Sequence, residues 1–478
     1  MSARTGSDFL KGLRDRREIW IGHQKVTDVT DHPALRGAAR ALASVFDLQH
    51  AAAGDCLVPD PQTHEPINVS HLIPRSREDL RRRHRGLRRI AELSVGMLGR
   101  TPDYVNVTYA GFAGRHDEWA MNGNEEGAAN LVRYQRQIAQ SDLALTHAIM
   151  HPTIDKSIGD NPGAGVALHK VETTRHGIVV RGARTLATLA PFADEIAVYP
   201  GHPASASADE CALAFCIPVA TPGLKFICRD SVASMGNRFD HPLSSRFDEQ
   251  DAFVIFDDVE VPRDRIHINC NLAVYRKVMR TSWAPNIMQQ TMIRAQTKLE
   301  FAWGLATRMV ESINGAQPPA QQLLGELWSY AELTRAAVAA AEDAAYDHGN
   351  GVWCPATGPL AALRALLPTW MPRATEIIRL LGSHNLLTAP SLSMIRNAEL
   401  RPLLDRYLCG VNDVSAETRA RIFRLAWDFA GTGLAGRNDQ YERFYLASSA
   451  RNQQIAHLTA DRTRAFDLVE RFLHEDVE

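Results

Sequence analysis

Apolar residues recur at helical spacing through the first third of the chain, over 33–48, 75–98 and 128–150, which predicts three helices separated by polar loops. The texture changes near residue 151. Short β-rich runs, GIVVRG at 177–182, ALAFCIPV at 212–219 and FVIFDDVEV at 253–261, are punctuated by Pro/Gly turns such as Pro222-Gly223. Short strands at that spacing predict a compact β-barrel or sandwich. Beyond residue 276 the helical period returns. Stretches 294–315 and 320–349 are long, rich in Ala and Leu and nearly free of breakers, and 360–381 reads as a further helix that Pro368 and Pro372 should kink. The expected architecture is mainly α with a central β-domain. A helical domain occupies 1–150, a middle β-barrel 151–275, and a helical bundle 276–478, with an extra charged helix after residue 448.

At 478 residues and 45% apolar content the chain can bury a large core without disulfides or metals. Its seven cysteines are scattered, with no C-x-x-C pair and no zinc spacing, so the expectation is a reducing, cytoplasmic setting and no metal. The polar opening MSARTGSDFLKGLRDRREIW is not a signal peptide, and no apolar stretch is long enough to span a membrane. A net charge of −2 argues against bulk attraction to nucleic acid. One run opposes that balance, RSREDLRRRHRGLRR at 75–89. It reads as a phosphate-binding surface or, more simply, as the solvated face of a helix. In the second reading Leu80, Leu87 and Ile90 are buried, and Glu78 and Asp79 sit at the helix start, where the dipole favours acids.

Three segments carry candidate chemistry. In GRTPDYVN (99–106), Pro102 can occupy the first helical position behind a Thr101 cap, setting Arg100 and Tyr104 around a helix start as a grip for a phenolic or anionic oxygen. The same residues also read as an arginine paired with a local carboxylate and a packed tyrosine. His147, in the LTH of 145–147 at the end of the third predicted helix, lies where helical and β regions meet and a crevice is expected. It is either a core histidine or an acid–base group. In RGARTLATLAPFADE (181–195), small residues beside the Thr188 hydroxyl allow close approach to a flat ligand, or form an ordinary strand and turn. No G-x-G-x-x-G lies between a strand and a helix, so no nicotinamide site is expected.

Taken in order, these segments resemble the oxygenase component of the 4-hydroxyphenylacetate 3-monooxygenase family, the two-component phenol hydroxylases with an acyl-CoA dehydrogenase-like fold. So do DFLKGLRDRREIWI (8–21), SSRFDEQDAFVIFDDVEVP (244–262), RAQTKLEFAWGLA (294–306) and YERFYL (441–446). The resemblance implies that FADH₂, supplied by a separate NAD(P)H:flavin reductase, reacts with O₂ to give a C4a-hydroperoxyflavin that hydroxylates a phenol ortho to its hydroxyl. It implies that Arg100, Tyr104 and His147 hold the phenolic oxygen, and that Gly201 and His202 lie in a loop over the substrate. It also implies that Thr188 sits near the flavin ring, with His147, Ala148, Ile149, Thr153, Ile154, Asp155 and Lys156 running along the flavin. Arg294 would reach the FAD pyrophosphate, a contact often made across a subunit boundary in the wider fold, and Gly433, Gly436 and Arg437 would make a second cofactor contact. The apolar surface of the long helices implies a homotetramer, or at least a dimer. Rival readings are a 4-hydroxybutyryl-CoA dehydratase, which needs Cys-held iron–sulfur chemistry, an acyl-CoA dehydrogenase-like enzyme, and a non-catalytic binding relative.

Overall fold

The computed structural model describes residues 3–154, 165–201, 209–279 and 284–474. Twelve strands position the site, introduced here in chain order. They are β1 (Glu18–Ile21), β2 (Gln24–Val26), β3 (Leu57–Pro59), β4 (Pro66–Asn68), β5 (Leu145–Ala148), β6 (His169–Thr173), β7 (Gly177–Thr188), β8 (Glu195–Val198), β9 (Leu213–Pro218), β10 (Leu224–Cys228), β11 (Asp251–Pro262) and β12 (Ile266–Asn269). β3 and β4 form a small hairpin of their own. The others make two open sheets, of order β2-β1-β10-β11-β7-β6 and β12-β9-β8-β5. The expected closed barrel is therefore not what forms. Two sheets pack instead, with Phe215 of β9 edge-on to Phe256 of β11 at 6.1 Å in a shared apolar layer.

Residues 145–148 were expected to end a helix, and they form β5. The preceding helix, Glu125–Ser141, stops at Asp142, whose left-handed backbone (φ 48°) turns the chain out of the helical path. The run LALTHA is then short, apolar and buried at every strand position, a pattern that period alone cannot assign to helix or strand. Parallel pairing with β8 settles it, with His147 opposite Ala197 and Ala148 opposite Val198.

The basic run forms the helix Arg77–Leu93, capped by Ser76 with Glu78 and Asp79 in its first turn and with Leu80, Leu87 and Ile90 buried. Three of its arginines pair with nearby carboxylates, Arg85 and Arg89 with Asp55 and Arg88 with Glu92. Arg83 departs from the solvated face. It is buried and donates to Gln289 at 2.8 Å and Asn286 at 3.0 Å, joining this helix to the long helix Ala284–Glu311. That long helix carries several buried polar residues, which is tolerable because they are hydrogen-bonded, as in Gln290 to Asp103 and Gln289 to Glu342.

Pro318–Asp343 and Thr357–Thr388 pack against it. The second of these accommodates Pro368 and Pro372, and its break falls at Ser383 (φ 44°, ψ −134°) rather than at either proline. The segment after residue 448 forms two helices, Ser449–Thr459 and Thr463–Leu473. Among the described residues, no helix is long and apolar enough to cross a membrane.

Candidate active site

The helix Pro102–Gly114 begins as its sequence predicts, with Pro102 in the first turn behind Thr101, though the Thr101 side chain makes no capping bond to the backbone. Arg100, just ahead of it, is 7% exposed. Its backbone N–H donates to the Glu249 carboxylate, and its guanidinium lies 3.8 Å from the centre of the Tyr104 ring and 5.4–5.5 Å from those of Tyr445 and Tyr441. A desolvated cation on an aromatic face contributes about 2 kcal/mol and fixes where that charge sits. Gly99 is required here, because a Cβ would stand 2.2 Å from the Tyr441 hydroxyl.

His147 enters from β5, its ring edge-on to Tyr104 with centroids 5.3 Å apart. Arg100, Tyr104 and His147, widely separated in sequence, are thus brought together. Burial, helped by the Arg100 charge, holds the His147 imidazole well below its ordinary pKa, so it is neutral at physiological pH. Burial also pushes the Tyr104 phenol up, against the opposing pull of Arg100. The charges that act there are Arg100 on the Tyr104 ring, Arg364, which also draws on that phenol, and the Glu249 carboxylate behind Arg100. Such a site favours a bound oxygen carrying negative charge.

A second set of groups converges on the end of β7. Thr146, next to His147, donates to the Thr188 carbonyl at 2.6 Å. The Thr188 hydroxyl donates to Asp251 at 2.8 Å, and Asp251 is gripped by Arg437 at 2.6 and 2.9 Å and by Arg229 at 3.0 Å. Burial would raise the Asp251 carboxyl, but Arg437 and Arg229 hold it below the usual carboxylate range. Because the Thr188 proton is committed to Asp251, only its lone pairs remain for a ligand, so it can accept a hydrogen bond but not donate one. Leu186 and Leu189 flank it at φ 65° and 66°, a left-handed conformation unfavourable for leucine and typical of functional sites.

The residues expected along a flavin separate into groups. Ala148 is fully buried, and the Ile149 carbonyl accepts from Arg184 at 3.0 Å. Arg184 has no exposed surface, yet its Nε and second terminal nitrogen have no partner among the described residues. Two unpaired buried donors beside Ile149 fit a ligand rich in carbonyl or phosphate oxygens, as FAD is. Gly201 is packed so closely that a Cβ would lie 2.7 Å from the Ile149 carbonyl. Thr153 and Ile154 are exposed, while Asp155, Lys156 and His202 lie outside the described residues.

Two of the expected cofactor arginines are engaged by acids of this chain. Arg294 is 2% exposed and bidentate to Glu442 at 2.8 and 2.9 Å, and it also donates to the Gly96 carbonyl and the Tyr445 hydroxyl. Its Nε is left without a partner among the described residues. Arg437 pairs with Asp251 and Glu249 and ties the two acids together. Gly433 and Gly436 open the helix Gly433–Phe444, and a Cβ at Gly436 would meet nothing within 4 Å, so close packing does not require glycine there. Sequence reading missed Glu249, Asp251, Arg184, Tyr199 and Tyr441. Two of these, Glu249 and Asp251, stand in the quoted stretch 244–262, whose acids could have been matched to the unpaired arginines.

The sequence matches the family described as "4-hydroxyphenylacetate 3-hydroxylase N terminal" over residues 5–268 and its C-terminal counterpart over residues 275–474. It is 34% identical to the 4-hydroxyphenylacetate 3-monooxygenase oxygenase component of Thermus thermophilus, covering 100% of this chain and 98% of that protein. It is 32% identical to the oxygenase component of a Rhodococcus 4-nitrophenol 2-monooxygenase, over 92% of this chain and 85% of that one. Among solved structures, the oxygenase component of 4-hydroxyphenylacetate 3-monooxygenase complexed with FAD and 4-hydroxyphenylacetate superposes with a TM-score of 0.94 at 34% identity, covering 99% of both chains. An archaeal 4-hydroxybutyryl-CoA dehydratase from N. maritimus shares the fold, with a TM-score of 0.87 at 18% identity, covering 100% of this chain and 96% of that one.

Proposed function

The chain belongs to the 4-hydroxyphenylacetate 3-hydroxylase family, and from that premise we propose that it is the oxygenase component of a two-component, FAD-dependent phenol monooxygenase. The observation that carries the reading is the convergence of the buried side chains Arg100, Tyr104 and His147, next to the hydrogen bond from Thr146 to Thr188. Reduced FAD, delivered by a separate reductase, supplies with O₂ an electrophilic oxygen atom.

The chain's own residues do the rest. Arg100 and the neutral imidazole of His147 hold the phenolic oxygen and favour its anionic form, which raises the nucleophilicity of the ortho ring carbon. Tyr104 packs against both and seats the ring. Thr188 accepts a hydrogen bond from the reduced flavin, and Arg184 offers its spare donors to flavin oxygens. The apolar walls exclude the water that would divert the oxidant to H₂O₂. Assembly as a homotetramer, or at least a dimer, and residence in the cytoplasm belong to the same reading. Large apolar side chains left exposed on the long helices, Trp328 at 50% and Leu333 at 54%, support the first.

The test is His147→Ala, assayed with a flavin reductase, NADH and a panel of phenols. Hydroxylation should slow by roughly 10²-fold, the scale of a lost positioned acid–base group, while O₂ consumption continues and H₂O₂ replaces product. Hydroxylation at the wild-type rate with full coupling would mean that the phenol binds elsewhere.

A further inference from the structure

Tyr199 follows directly on β8, the strand paired in parallel with the strand of His147, and it has no exposed surface. Its hydroxyl lies 2.5 Å from Nδ1 of His147, with the two rings edge-to-face at 5.5 Å. Two proton arrangements satisfy that contact. In one the tyrosine donates to Nδ1, and the single N–H of the neutral imidazole is on Nε2. In the other Nδ1–H donates to the tyrosine oxygen, and Nε2 becomes an acceptor. These give His147 opposite chemistry toward a phenol. The first makes it a hydrogen-bond donor to phenolate, the second a base for the neutral phenol.

Two observations choose between them. The Arg100 guanidinium is packed on Tyr104 beside His147, so the pocket already holds a cation, and an imidazole that took up the phenol's proton would add a second one in a buried site. Burial keeps Tyr199 protonated and His147 neutral, so neither takes or loses a proton near pH 7.

We propose that Tyr199 is a positioning residue, which donates to Nδ1 of His147 and thereby fixes the tautomer that presents Nε2–H to the phenolic oxygen. The inference rests on the reading of His147 given above and adds the direction of the hydrogen bond. Tyr199 touches no substrate. It acts through the imidazole, as a carboxylate does when it orients a catalytic histidine.

The tautomer can be read without flavin or substrate. With ¹⁵N-labelled histidine, the His147 resonances are those lost in His147→Ala, and the wild-type spectrum should show a protonated Nε2 and a bare Nδ1. The reverse pattern overturns the proposal, whatever becomes of any variant. Tyr199→Phe keeps the ring and removes the donor. It should mix or invert the tautomers, lower kcat for hydroxylation by roughly three- to tenfold, the scale of one hydrogen bond, raise the H₂O₂ share and leave KM for the phenol nearly unchanged. A Tyr199→Phe protein with the wild-type tautomer and full coupling would also refute the proposal while leaving the His147 reading intact. Full coupling in His147→Ala would remove that reading instead.

Discussion

Arg294, Lys298 and Glu442 form a buried cluster of two cations on one carboxylate, with N–O distances of 2.8–2.9 Å and each side chain no more than 6% exposed. Burial alone would raise the Glu442 carboxyl, but Arg294 and Lys298 hold it down to about 2. The ammonium of Lys298 pays for the sharing, since burial and the neighbouring Arg294 depress it more than Glu442 restores it. Glu442→Gln should therefore be the most harmful single change, because it strands two buried cations. Breaking a buried pair costs about 3–5 kcal/mol. Arg294→Ala leaves a neutral Lys298–Glu442 pair and should cost less, and Lys298→Met should be close to neutral.

With about 2 cal/mol/K of unfolding entropy per residue, a cooperative unit of this length shifts by about 1 °C per kcal/mol, so Glu442→Gln should lower Tm by about 3–5 °C. Acid provides a second check. Glu442 has a folded-state pKa of about 2 against an ordinary 4.5, so its contribution is complete above pH 4.5 and is lost as pH falls from 4.5 toward 2. It amounts to about 3 kcal/mol, and this part of the acid sensitivity should vanish in Glu442→Gln. Differential scanning calorimetry on flavin-free protein measures both. If Arg294→Ala left the flavin-free Tm unchanged while weakening FADH₂ binding tenfold, the cluster would be a cofactor site and the structural reading wrong.

Other substitutions test neighbouring parts of the site. Thr188→Val should raise the H₂O₂ share measured by peroxidase assay and Thr188→Ser should restore coupling, whereas equal coupling in both would remove the hydroxyl from the mechanism. Asp251→Asn should produce the same uncoupling together with a stability loss of about 1–3 kcal/mol, because Arg437 and Arg229 lose their shared anion. Arg83→Ala should destabilise by about 2–3 kcal/mol through the orphaned Gln289 and Asn286 oxygens. Its neighbour Arg82→Ala should stay within about 0.5 kcal/mol and leave coupling unchanged.

What could be read from the chain alone follows from the range of the interactions. The basic helix, its acidic first turn and its buried Leu80, Leu87 and Ile90 depend on local periodicity, and all stand as read. The Arg100–Tyr104 pairing is local too, and the family resemblance supplied His147. Failures came where a distant partner decides. The sequence shows Arg294 and Arg437 as cations without showing that Glu442, Glu249 and Asp251 lie against them. Tyr199 carried no signal, since only strand pairing places its hydroxyl on His147. The strand at 145–148 was hidden because an apolar run of that length suits either period until a neighbouring strand claims it.

The grip of Arg437 on Asp251 and Glu249 spans 186 and 188 residues, and Asn438 reaches Met97 across 341. The amide of Arg100 and the hydroxyl of Thr188 are both tied to those two acids, so each half of the pocket takes its final shape only when Arg437 arrives. During synthesis the Arg100, His147 and Thr188 segments emerge well before Arg437 does. The ion pairs of Arg437 are therefore the last of these contacts that the growing chain can make, and they close on acids already laid down about 190 residues earlier.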